Sequence, residues 1–393
     1  MTSTIGVKKI QHTNGTQVMT FDTAGKISSN ITTTGTINTP SINGGQIGGR
    51  RNIVINGAMQ VAQRGTSFTS VAGSAYHLDR YRTGMGDTSA RFTVTQATAG
   101  LNGFGNSLKY DCTTAESSLS SADARLFVTQ RIEGQNLQQL KKGTSDAEKF
   151  TVSFYVKSTK TGTYILNIVD IDNNRQISQA YTISSSGTWE QKTLTFDGDT
   201  TGALGNDNGN SFELHWWLIA GTSYSSGSLA TSWTTYAGAS DYTKSAVGNV
   251  NLGDNTSNTW EITGIQMELG ETATAFEHRP VAEELSLCQR YYIKTNPEDD
   301  TRMSGFTGCM YTTTQAVLDF VFPVEMRAAP SVSIGGSNNN YWIAGVNGSA
   351  SGTIAATQYK KNMAWWELSS VSTCPSNGYQ ITYNGQVDID AEL

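Results

Sequence analysis

Charged residues are scarce in this chain of 393 residues, because Asp, Glu, Lys and Arg together make up only 15% of it. Globular proteins usually contain about one quarter. The formal net charge of −6 comes without any run of Lys and Arg, so the clustered basic surface that nucleic-acid-binding proteins use is missing. We therefore expect no nucleic acid among the partners of this protein.

Long apolar runs are also missing. No stretch approaches the roughly 20 apolar residues of a membrane-spanning helix, and the N-terminus has no apolar core of signal-peptide length. The sequence therefore predicts a protein that is made in the cytoplasm and is not inserted in a membrane. Cysteines are few and far apart, without CxxC spacing, and we expect buried reduced thiols; they are Cys112, Cys288, Cys309 and Cys374.

Recognisable catalytic motifs are missing as well, since the chain has no HExxH, no GxSxG and no Walker lysine. The stretch from Asp197 to Asn210 alternates Asp and Asn like a calcium loop, but its twelfth position is Asn208 instead of Glu, which favours a solvated turn. We expect no catalytic residue, no metal, no cofactor and no enzymatic activity. The four histidines are interpreted as structural or exposed side chains: His12, His77, His215 and His278.

The chain is rich in Gly, Ser, Thr and Asn between short apolar runs, which predicts many strands joined by turns. Without helix-period segments between the runs, residues 51–279 are predicted to form a large antiparallel jelly-roll sandwich. In "TVSFYVKS", alternation places Val152, Phe154 and Val156 on the buried face. The predicted strands are Ile53–Ile55, Arg91–Thr95, Ser107–Tyr110, Leu126–Ile132, Phe150–Lys157, Thr163–Val169, Ile177–Ile183, Thr188–Phe196, Phe212–Leu218 and Thr259–Met267.

One stretch has helical periodicity, "RPVAEELSLCQRYY" at residues 279–292. Pro280 suits the first position of a helix, so residues 280–292 are predicted to be a linking helix before a smaller C-terminal β-sandwich over 293–393. An apolar stripe would pack either on a sandwich of its own chain or on a symmetry mate. The stripe consists of Val281, Leu285, Cys288 and Tyr292.

Residues 1–50 differ from the rest of the chain. Two short apolar runs flank Asn14-Gly15, which is a hairpin turn signal. The following stretch, residues 28–50, has too few large apolar side chains to form a core alone. It is either a flexible linker or an extended stalk that is ordered by pairing with other copies of the chain.

Aromatic residues suggest a binding function, because flat Trp and Tyr rings backed by polar groups bind sugars. In "ELHWWLIA" neighbouring residues point to opposite faces, so one of Trp216 and Trp217 is expected in the core and the other outside. The same reasoning separates Trp365 from Trp366. An outward Trp would also suit packing against a neighbouring subunit. The candidate glycan platform comprises Trp216, Trp217, Trp233, Tyr236, Trp342, Trp365 and Trp366.

Three motifs in this order resemble those of tailed-bacteriophage tail-fibre or receptor-binding proteins. They are "NIVINGAMQVAQRG" (52–65) followed by "AYHLDRYR" (75–82), "VTQRIEGQNLQQLKKG" (128–143), and "EITGIQMELGETATAFEHRPVAEELSLCQRYY" (261–292). Residues 2–27, "TSTIGVKKIQHTNGTQVMTFDTAGKI", are similar to the opening of marine phage fibre proteins. The resemblance implies a jelly roll like that of carbohydrate-binding modules, a virion location, and attachment to the phage tail or other virion proteins through residues 1–50.

The resemblance also implies a homotrimer, made in the cytoplasm of the host bacterium, that binds host surface polysaccharide during adsorption. Related sandwiches often begin "NGDFE" and hold calcium beside that acidic pair, whereas Ala58 and Gln60 occupy the matching positions here. Two alternatives remain open. The chain is also compatible with an adaptor, or a capsid fibre or decoration protein that binds no glycan. A polysaccharide-degrading tailspike fits less well, because no fixed-period repeat typical of a β-helix is present.

Overall fold

The computed structural model describes residues 9–11, 17–20, 41–42, 45–46, 50–236, 242–295, 307–335, 341–343, 349–350, 353–369, 371, 380–383 and 386–393. The chain divides into two compact units, Met1–Ile42 and Asn43–Leu393. In the first unit, β1 (Lys9–Gln11) pairs antiparallel with β2 (Gln17–Thr20), which confirms the paired strands predicted around Asn14-Gly15. The turn itself, and most of the predicted stalk, lie outside the described residues; β3 is Ser41–Ile42.

The second unit contains the short strand β4 (Gly45–Gln46) and then a large β-sandwich. The strands of the sandwich are β5 (Ser67–Val71), β6 (Ala75–Tyr76), β7 (Arg82–Gly86), β8 (Arg91–Leu101), β9 (Phe104–Thr114), β10 (Arg125–Glu133), β11 (Phe150–Ser158), β12 (Gly162–Asp170), β13 (Arg175–Ile183), β14 (Glu190–Phe196), β15 (Asn210–Ala220), β16 (Thr234–Thr235) and β17 (Thr259–Leu269). Helices are short. They are α1 (Thr222–Ser225), α2 (Val281–Gln289) and the 3₁₀ turns Gly134–Asn136, Gln138–Leu140, Tyr242–Lys244 and Leu252–Asp254.

Two antiparallel sheets face each other across this sandwich. One has seven strands in the order β16-β13-β12-β15-β10-β7-β6, and the other has six in the order β14-β11-β17-β9-β8-β5. Strands that are distant in sequence lie side by side, as β10 does with β15, so the fold depends on long-range pairing. The core between the sheets includes Phe92, Tyr110, Phe150, Phe154, Trp216 and Trp260.

The predicted alternation in β11 is confirmed, since Val152, Phe154 and Val156 are fully buried. Nine of the ten predicted strands overlap observed ones, and the prediction for Ile53–Ile55 is wrong. The amides of Val54 and Ile55 donate to the side chains of Asn52 and Gln130 at 3.0 and 2.9 Å. Side-chain acceptors therefore replace the neighbouring strand that a β-ladder requires.

The C-terminal part is also antiparallel β. Its strands are β18 (Tyr292–Thr295), β19 (Thr307–Met310), β20 (Ala316–Val321), β21 (Ser331–Gly335), β22 (Tyr341–Ile343), β23 (Ser349–Ala350), β24 (Thr353–Lys360), β25 (Met363–Ser369), β26 (Gln380–Tyr383) and β27 (Gln386–Asp390). They form sheets in the orders β18-β27-β21 and β23-β22-β26-β19-β20-β25-β24. A separate core contains Ile293, Met310, Leu318, Trp366 and Ile389. The all-β prediction is confirmed, while the domain boundaries at 51–279, 280–292 and 293–393 stay predictions.

Helix α2 is shorter than predicted. Pro280 is the residue before the first helical position, and its carbonyl accepts from the amides of Glu283 and Glu284 at 3.0 and 3.1 Å. Tyr292 lies beyond the helix, in β18. The apolar run therefore leaves the helical conformation early, because pairing with β27 supplies the backbone partners of residues 292–295.

The predicted apolar stripe of α2 is partly wrong. Cys288 and Tyr292 are buried and Leu285 is half-buried, but Val281 is 59% exposed. Glu284 takes the inward position instead, and its Oε1 accepts from the backbone amide of Asn56 at 2.6 Å. The buried side of the helix thus faces its own chain.

The two cores are joined by buried ion pairs. Arg80, in the "AYHLDRYR" motif, pairs with Glu392, and its guanidinium lies 3.4 Å from the ring centroid of Tyr291. Arg64 lies 3.2 Å from Asp390 and 3.4 Å from Glu392. Because the arginines come from the sandwich and the acids from the end of β27 and the residues after it, these charges hold the two β parts together.

Candidate functional site

The face of the seven-stranded sheet that points away from the core carries a row of polar side chains. Four strands contribute one residue each, in the order Arg82 (β7), Thr129 (β10), His215 (β15) and Asn167 (β12). Residues directly opposite each other in antiparallel strands project from the same face, roughly 5 Å apart. We call these four residues the polar row.

An aromatic side chain lies next to the polar row. Phe127 is paired with Gly84 on one side and Trp217 on the other, and its ring stacks on His215 with centroids 4.2 Å apart and planes inclined by 22°. A Cβ atom at Gly84 would come within 2.2 Å of the Phe127 ring. Glycine at this position therefore makes room for the ring to lie across the sheet.

Glu213 lies on the other side of the polar row and contacts three polar side chains. Its carboxylate lies 2.8 Å from Arg131 Nε and 2.6 Å from His215 Nε2, and it accepts from Asn210 Nδ2 at 2.7 Å. Burial raises the pKa of Glu213, but the hydrogen bond and charge of His215 and the charge of Arg131 outweigh burial and lower that pKa to about 2. Glu213 is thus ionised at neutral pH, and it orients both His215 and Arg131.

Two buried polar atoms of the row have no hydrogen-bond partner among the described residues, Thr129 Oγ1 and Asn167 Oδ1. Both residues are fully buried. Asn167 Nδ2, in contrast, donates to Ser178 Oγ at 3.0 Å. Leaving a buried hydroxyl or carbonyl unsatisfied costs about 1–3 kcal/mol, so these two atoms lower the stability of the protein, and their full burial keeps them out of contact with solvent.

One end of this face is covered by the chain that follows β15. Trp217 is 2% exposed and packs in a small cluster with Ile165 and Ala246, to which Tyr224 adds its ring. Ser178 Oγ donates to the carbonyl of Ser245 at 2.9 Å. The β12–β13 end is therefore closed.

The β7–β10 end remains partly accessible. Arg82, Phe127 and Arg131 are half-buried there, and Arg131 also donates to the carbonyl of Leu393. The candidate site is the polar row together with Phe127 and the Arg131–Glu213 pair. It combines a partly accessible aromatic ring with charged groups, while Thr129, His215 and Asn167 are buried.

The predicted aromatic platform is not formed as expected. Trp216, Tyr236 and Trp366 are buried, and Trp217 is covered although it points away from the core. Trp216 and Trp217 do point to opposite sides of the strand, but the outward ring of Trp217 is not exposed, because the chain around Tyr224 covers it.

The remaining predicted rings do not lie in the candidate site. Trp233 is half-buried and its Nε1 donates to the carbonyl of Asp197 at 2.7 Å. Trp365 is half-buried on β25, where it pairs with Asp319 and Gln358. A glycan-binding role for these two stays a prediction, and the side chain of Trp342 lies outside the described residues.

Sequence reasoning missed Arg82, Phe127, Arg131 and His215. A usable signal was present in "RLFVTQRIE", where Phe127, Thr129 and Arg131 alternate with the core residues of β10. An aromatic ring, a hydroxyl and a guanidinium on the outer side of one central strand are unusual for a face that only contacts solvent. His215, interpreted as structural or exposed, lies in the polar row.

The predicted solvated turn at 197–210 is partly buried. Asp199 is 5% exposed, and its Oδ2 lies 3.1 Å from Lys142 Nζ and 2.6 Å from Arg175 Nε. Lys142 also reaches Asp170 Oδ2 at 2.6 Å. This loop therefore anchors a buried lysine, and it is a structural element next to the sandwich edge.

Neither a metal-binding cluster nor a membrane-spanning helix occurs among the described residues. Among the described residues, no group of three or more His, Cys, Asp or Glu side chains is placed to hold a metal ion. Within the same part of the chain, no helix has both the length and the apolar character needed to cross a bilayer.

No protein-family model matches the chain, and no curated protein matches it. Among solved structures, the enzymatically active domain of tailspike protein 4 from bacteriophage CBA120 is similar over 56% of this chain and 21% of that chain, with 15% identity and a TM-score of 0.29. This chain thus spans about a fifth of the tailspike chain.

Carbohydrate-binding modules are also similar. The family 11 module of cellulase Lic26A-Cel5E from Clostridium thermocellum matches 54% of this chain and 100% of its own, with 13% identity and a TM-score of 0.27. TmCBM61, solved in complex with β-1,4-galactotriose, matches 56% of this chain and 99% of its own, with 10% identity and a TM-score of 0.28.

Proposed function

We propose that this protein is a structural protein of a bacteriophage virion, a trimeric tail fibre that binds glycan on the host surface through the candidate site. Sugars present apolar C–H faces and hydroxyls that both donate and accept hydrogen bonds. Phe127 supplies an apolar surface, and the half-buried Arg82 and Arg131 supply donors on the same face. Ligand sites in proteins combine these two kinds of group.

The observation that carries this proposal is the half-buried ring of Phe127 on the outer face of the sheet, with the half-buried Arg82 and Arg131 on the same face. The ring can pack on the C–H face of a sugar, and guanidinium groups donate hydrogen bonds to its hydroxyls. The ring of Phe127 stacks on His215, which is in turn paired with Glu213. The site is therefore largely formed before any ligand arrives, which lowers the entropy cost of binding.

We propose binding without cleavage. Most glycosidases need two carboxyl groups, one of which is protonated at working pH because its pKa is raised. In the candidate site the carboxylate is that of Glu213, whose pKa is about 2. Held by Arg131, His215 and Asn210, it is suited to positioning its neighbours and unsuited to donating a proton.

The virion location and the trimer rest on the three sequence motifs and on residues 1–50. Three linked copies would convert weak individual sugar contacts into strong attachment by raising the effective concentration of the second and third sites. Light scattering during gentle size-exclusion chromatography tests the trimer, and a monomer would overturn it. Labelling the protein on phage particles for electron microscopy separates a tail fibre from a capsid fibre or decoration protein.

Substitution of Phe127 tests the site. Phe127→Ala removes the partly accessible ring, so binding to host cells or lipopolysaccharide should weaken. Thr129→Val replaces an unsatisfied buried hydroxyl by a methyl group, so we expect it to make the protein more stable by about 1 kcal/mol and to leave binding unchanged. Tyr311→Ala, which removes an exposed ring from β19–β20, is the matched control.

The outcomes separate the candidate functions. Undiminished binding by Phe127→Ala would exclude this face as the site. Absence of binding to any susceptible host would favour an adaptor role. Release of reducing ends from host polysaccharide would identify a tailspike and overturn the proposal of binding without cleavage.

A further inference from the structure

We infer that the outer face of the sheet β23-β22-β26-β19-β20-β25-β24 is a second glycan-binding site, and that its ligand is a neutral oligosaccharide that stacks on Trp365. The site belongs to the C-terminal β part and shares no residue with the candidate site on the sandwich. It therefore extends the proposed function, and it can fail while the candidate site still binds.

Trp365 points away from the C-terminal core. Its neighbours Ala364 and Trp366 are fully buried in that core, and adjacent residues of a strand point to opposite faces. Asp319 on β20 and Gln358 on β24 are directly opposite Trp365. The three side chains therefore project from the same face, roughly 5 Å apart, and we call them the tryptophan row.

The tryptophan row is accessible to solvent. Asp319 and Gln358 are exposed, and Trp365 between them is half-buried. Within the described part of the chain, the side chains of these three residues have no hydrogen-bond or ion-pair partner. Trp217 on the sandwich differs, because another segment of the chain covers its ring. A ligand can therefore contact the tryptophan row without displacing a bonded side chain.

The side chains of the row match the chemistry of a sugar. An indole offers a flat apolar surface to the C–H face of a pyranose ring. The carboxylate of Asp319 accepts hydrogen bonds from hydroxyls, and the amide of Gln358 both donates and accepts them. Thr307 on β19 is exposed opposite Asp319 and adds a hydroxyl. These four neighbouring strands span about 14 Å, which is longer than one sugar ring and suits an oligosaccharide.

The charges on this face favour a neutral ligand. Asp319 and Glu367 supply two carboxylates, and Lys360 at the sheet edge supplies one ammonium group. No arginine occurs in β19, β20, β24 or β25. Glu367 accepts from the hydroxyl of Tyr311 at 2.6 Å, so Asp319 is the carboxylate with free acceptor sites. The two carboxylates repel an acidic sugar, whereas the hydroxyls of a neutral sugar can donate to Asp319.

The experiment uses the whole chain with Phe127→Ala, which removes the ring of the candidate site and leaves the tryptophan row intact. Cellohexaose, maltohexaose and mannohexaose are the neutral probes, oligogalacturonate is the acidic probe, and calorimetry measures binding. We expect at least one neutral probe to bind with an affinity that salt does not change, and the acidic probe not to bind. Stacking on the indole should also change the tryptophan fluorescence.

Two substitutions in the row should weaken this binding. Trp365→Ala removes the stacking surface and Asp319→Asn removes a charged acceptor, and each should lower the affinity about tenfold or more. Glu325→Gln makes the same charge change at an exposed position outside these four strands, so this control should bind like the parent. Because Asp319 is exposed, Asp319→Asn should melt at the parent temperature, which separates lost binding from lost folding.

Other outcomes would overturn the inference. If no neutral probe binds, or if Trp365→Ala and Asp319→Asn bind like the parent, the tryptophan row is not a site, while host-cell binding that requires Phe127 would still support the candidate site. Tighter binding of oligogalacturonate would exclude a neutral ligand. A smaller mass of Trp365→Ala in light scattering would show that a second copy of the chain covers this face.

Discussion

Buried charged side chains in this protein are held by several partners each. Glu116 is an example in a loop, since its carboxylate accepts from the amide of Ser89 at 2.8 Å, from the amide and hydroxyl of Ser120 at 3.0 and 2.7 Å, and from the hydroxyl of Thr88. Burial raises the pKa of Glu116, and these hydrogen bonds outweigh burial and lower it to about 2.

The lowered pKa of Glu116 predicts a pH dependence. Its stabilising contribution is complete above the unfolded pKa near 4.5 and is lost as the pH falls toward 2. Glu116→Gln should destabilise the protein by about 1–3 kcal/mol at neutral pH and reduce the fall in stability below about pH 5. Urea unfolding at several pH values measures both.

Glu271→Gln is the control for this prediction, because Glu271 is exposed. That variant should keep the wild-type pH dependence. An unchanged acid profile for Glu116→Gln would contradict the assignment.

Lys142 is a buried cation with four oxygen partners. Its ammonium lies 2.6 Å from Asp170 and 3.1 Å from Asp199, and it donates to the carbonyls of Thr201 and Gly202 at 2.8 Å. Removing one partner of a buried ion pair leaves the other charge uncompensated, which costs about 3–5 kcal/mol.

We therefore expect Lys142→Met to lose about 3–5 kcal/mol of unfolding free energy in urea titrations. The adjacent Lys141 pairs with Glu148 on the surface, and Lys141→Met should change stability by less than about 1 kcal/mol. Equal stability of the two variants would show that the four oxygen atoms around Lys142 do not require its positive charge.

Helix α2 shows how tertiary contacts select the face of an element. Apolar periodicity favours a stripe that includes Val281 and Cys288, but Glu284 and Cys288 are the residues that the protein buries. Glu284 pairs with Arg279 at 3.3 Å and accepts from the amide of Asn56. A charged residue thus takes the inward position because its partners on the chain are already in place.

Because Cys288 is buried and Val281 is exposed, substitutions at these two positions of α2 should affect stability differently. Cys288→Ser places a hydroxyl in a fully buried site and should cost about 1–3 kcal/mol. Val281→Ser, at a position that is 59% exposed, should change the unfolding free energy by less than about 0.5 kcal/mol. Thermal unfolding of the two variants distinguishes the faces, and a larger loss for Val281→Ser would mean that another surface covers Val281.

The whole second unit is held together at the junction of its two cores. Arg80 and Glu392 are both almost completely inaccessible, and Arg327 adds hydrogen bonds to the carbonyls of Ala391 and Asn208 at 2.8 and 3.0 Å. The chain end beyond β27 is therefore packed against the sandwich through charged groups. We expect the two β parts to unfold together.

Glu392→Ala tests this coupling. It leaves Arg80 buried without its carboxylate, so we expect a loss of about 3–5 kcal/mol and earlier hydrogen exchange in the C-terminal strands than in the sandwich. Glu325→Ala, an exposed change in the same β part, should leave a single transition. Separate transitions in the wild type would contradict the coupling.

Sequence reasoning found most strands of the large sandwich because their signal is local. Alternation in β11 and β15 depends only on neighbouring residues, whereas the pairing of β10 with β15 joins residues about 80 to 95 positions apart and is not visible in the local pattern. The segment at Ile53–Ile55 could not be assigned correctly, since the acceptor for Ile55 is the side chain of Gln130, 75 residues away. The candidate site was missed for a similar reason, as its residues come from positions 82 to 215.

The sequence by itself determined that this protein is all-β, that one short helix precedes a second β part, and that Trp216 and Trp217 point to opposite sides of a strand. These properties depend on backbone geometry and on residues close in the chain. Only the tertiary structure decided that Trp217 is covered near Tyr224 and Ala246 while Phe127 stays partly accessible. Exposure depends on which distant segment packs over a strand, and local periodicity carries no information about that segment.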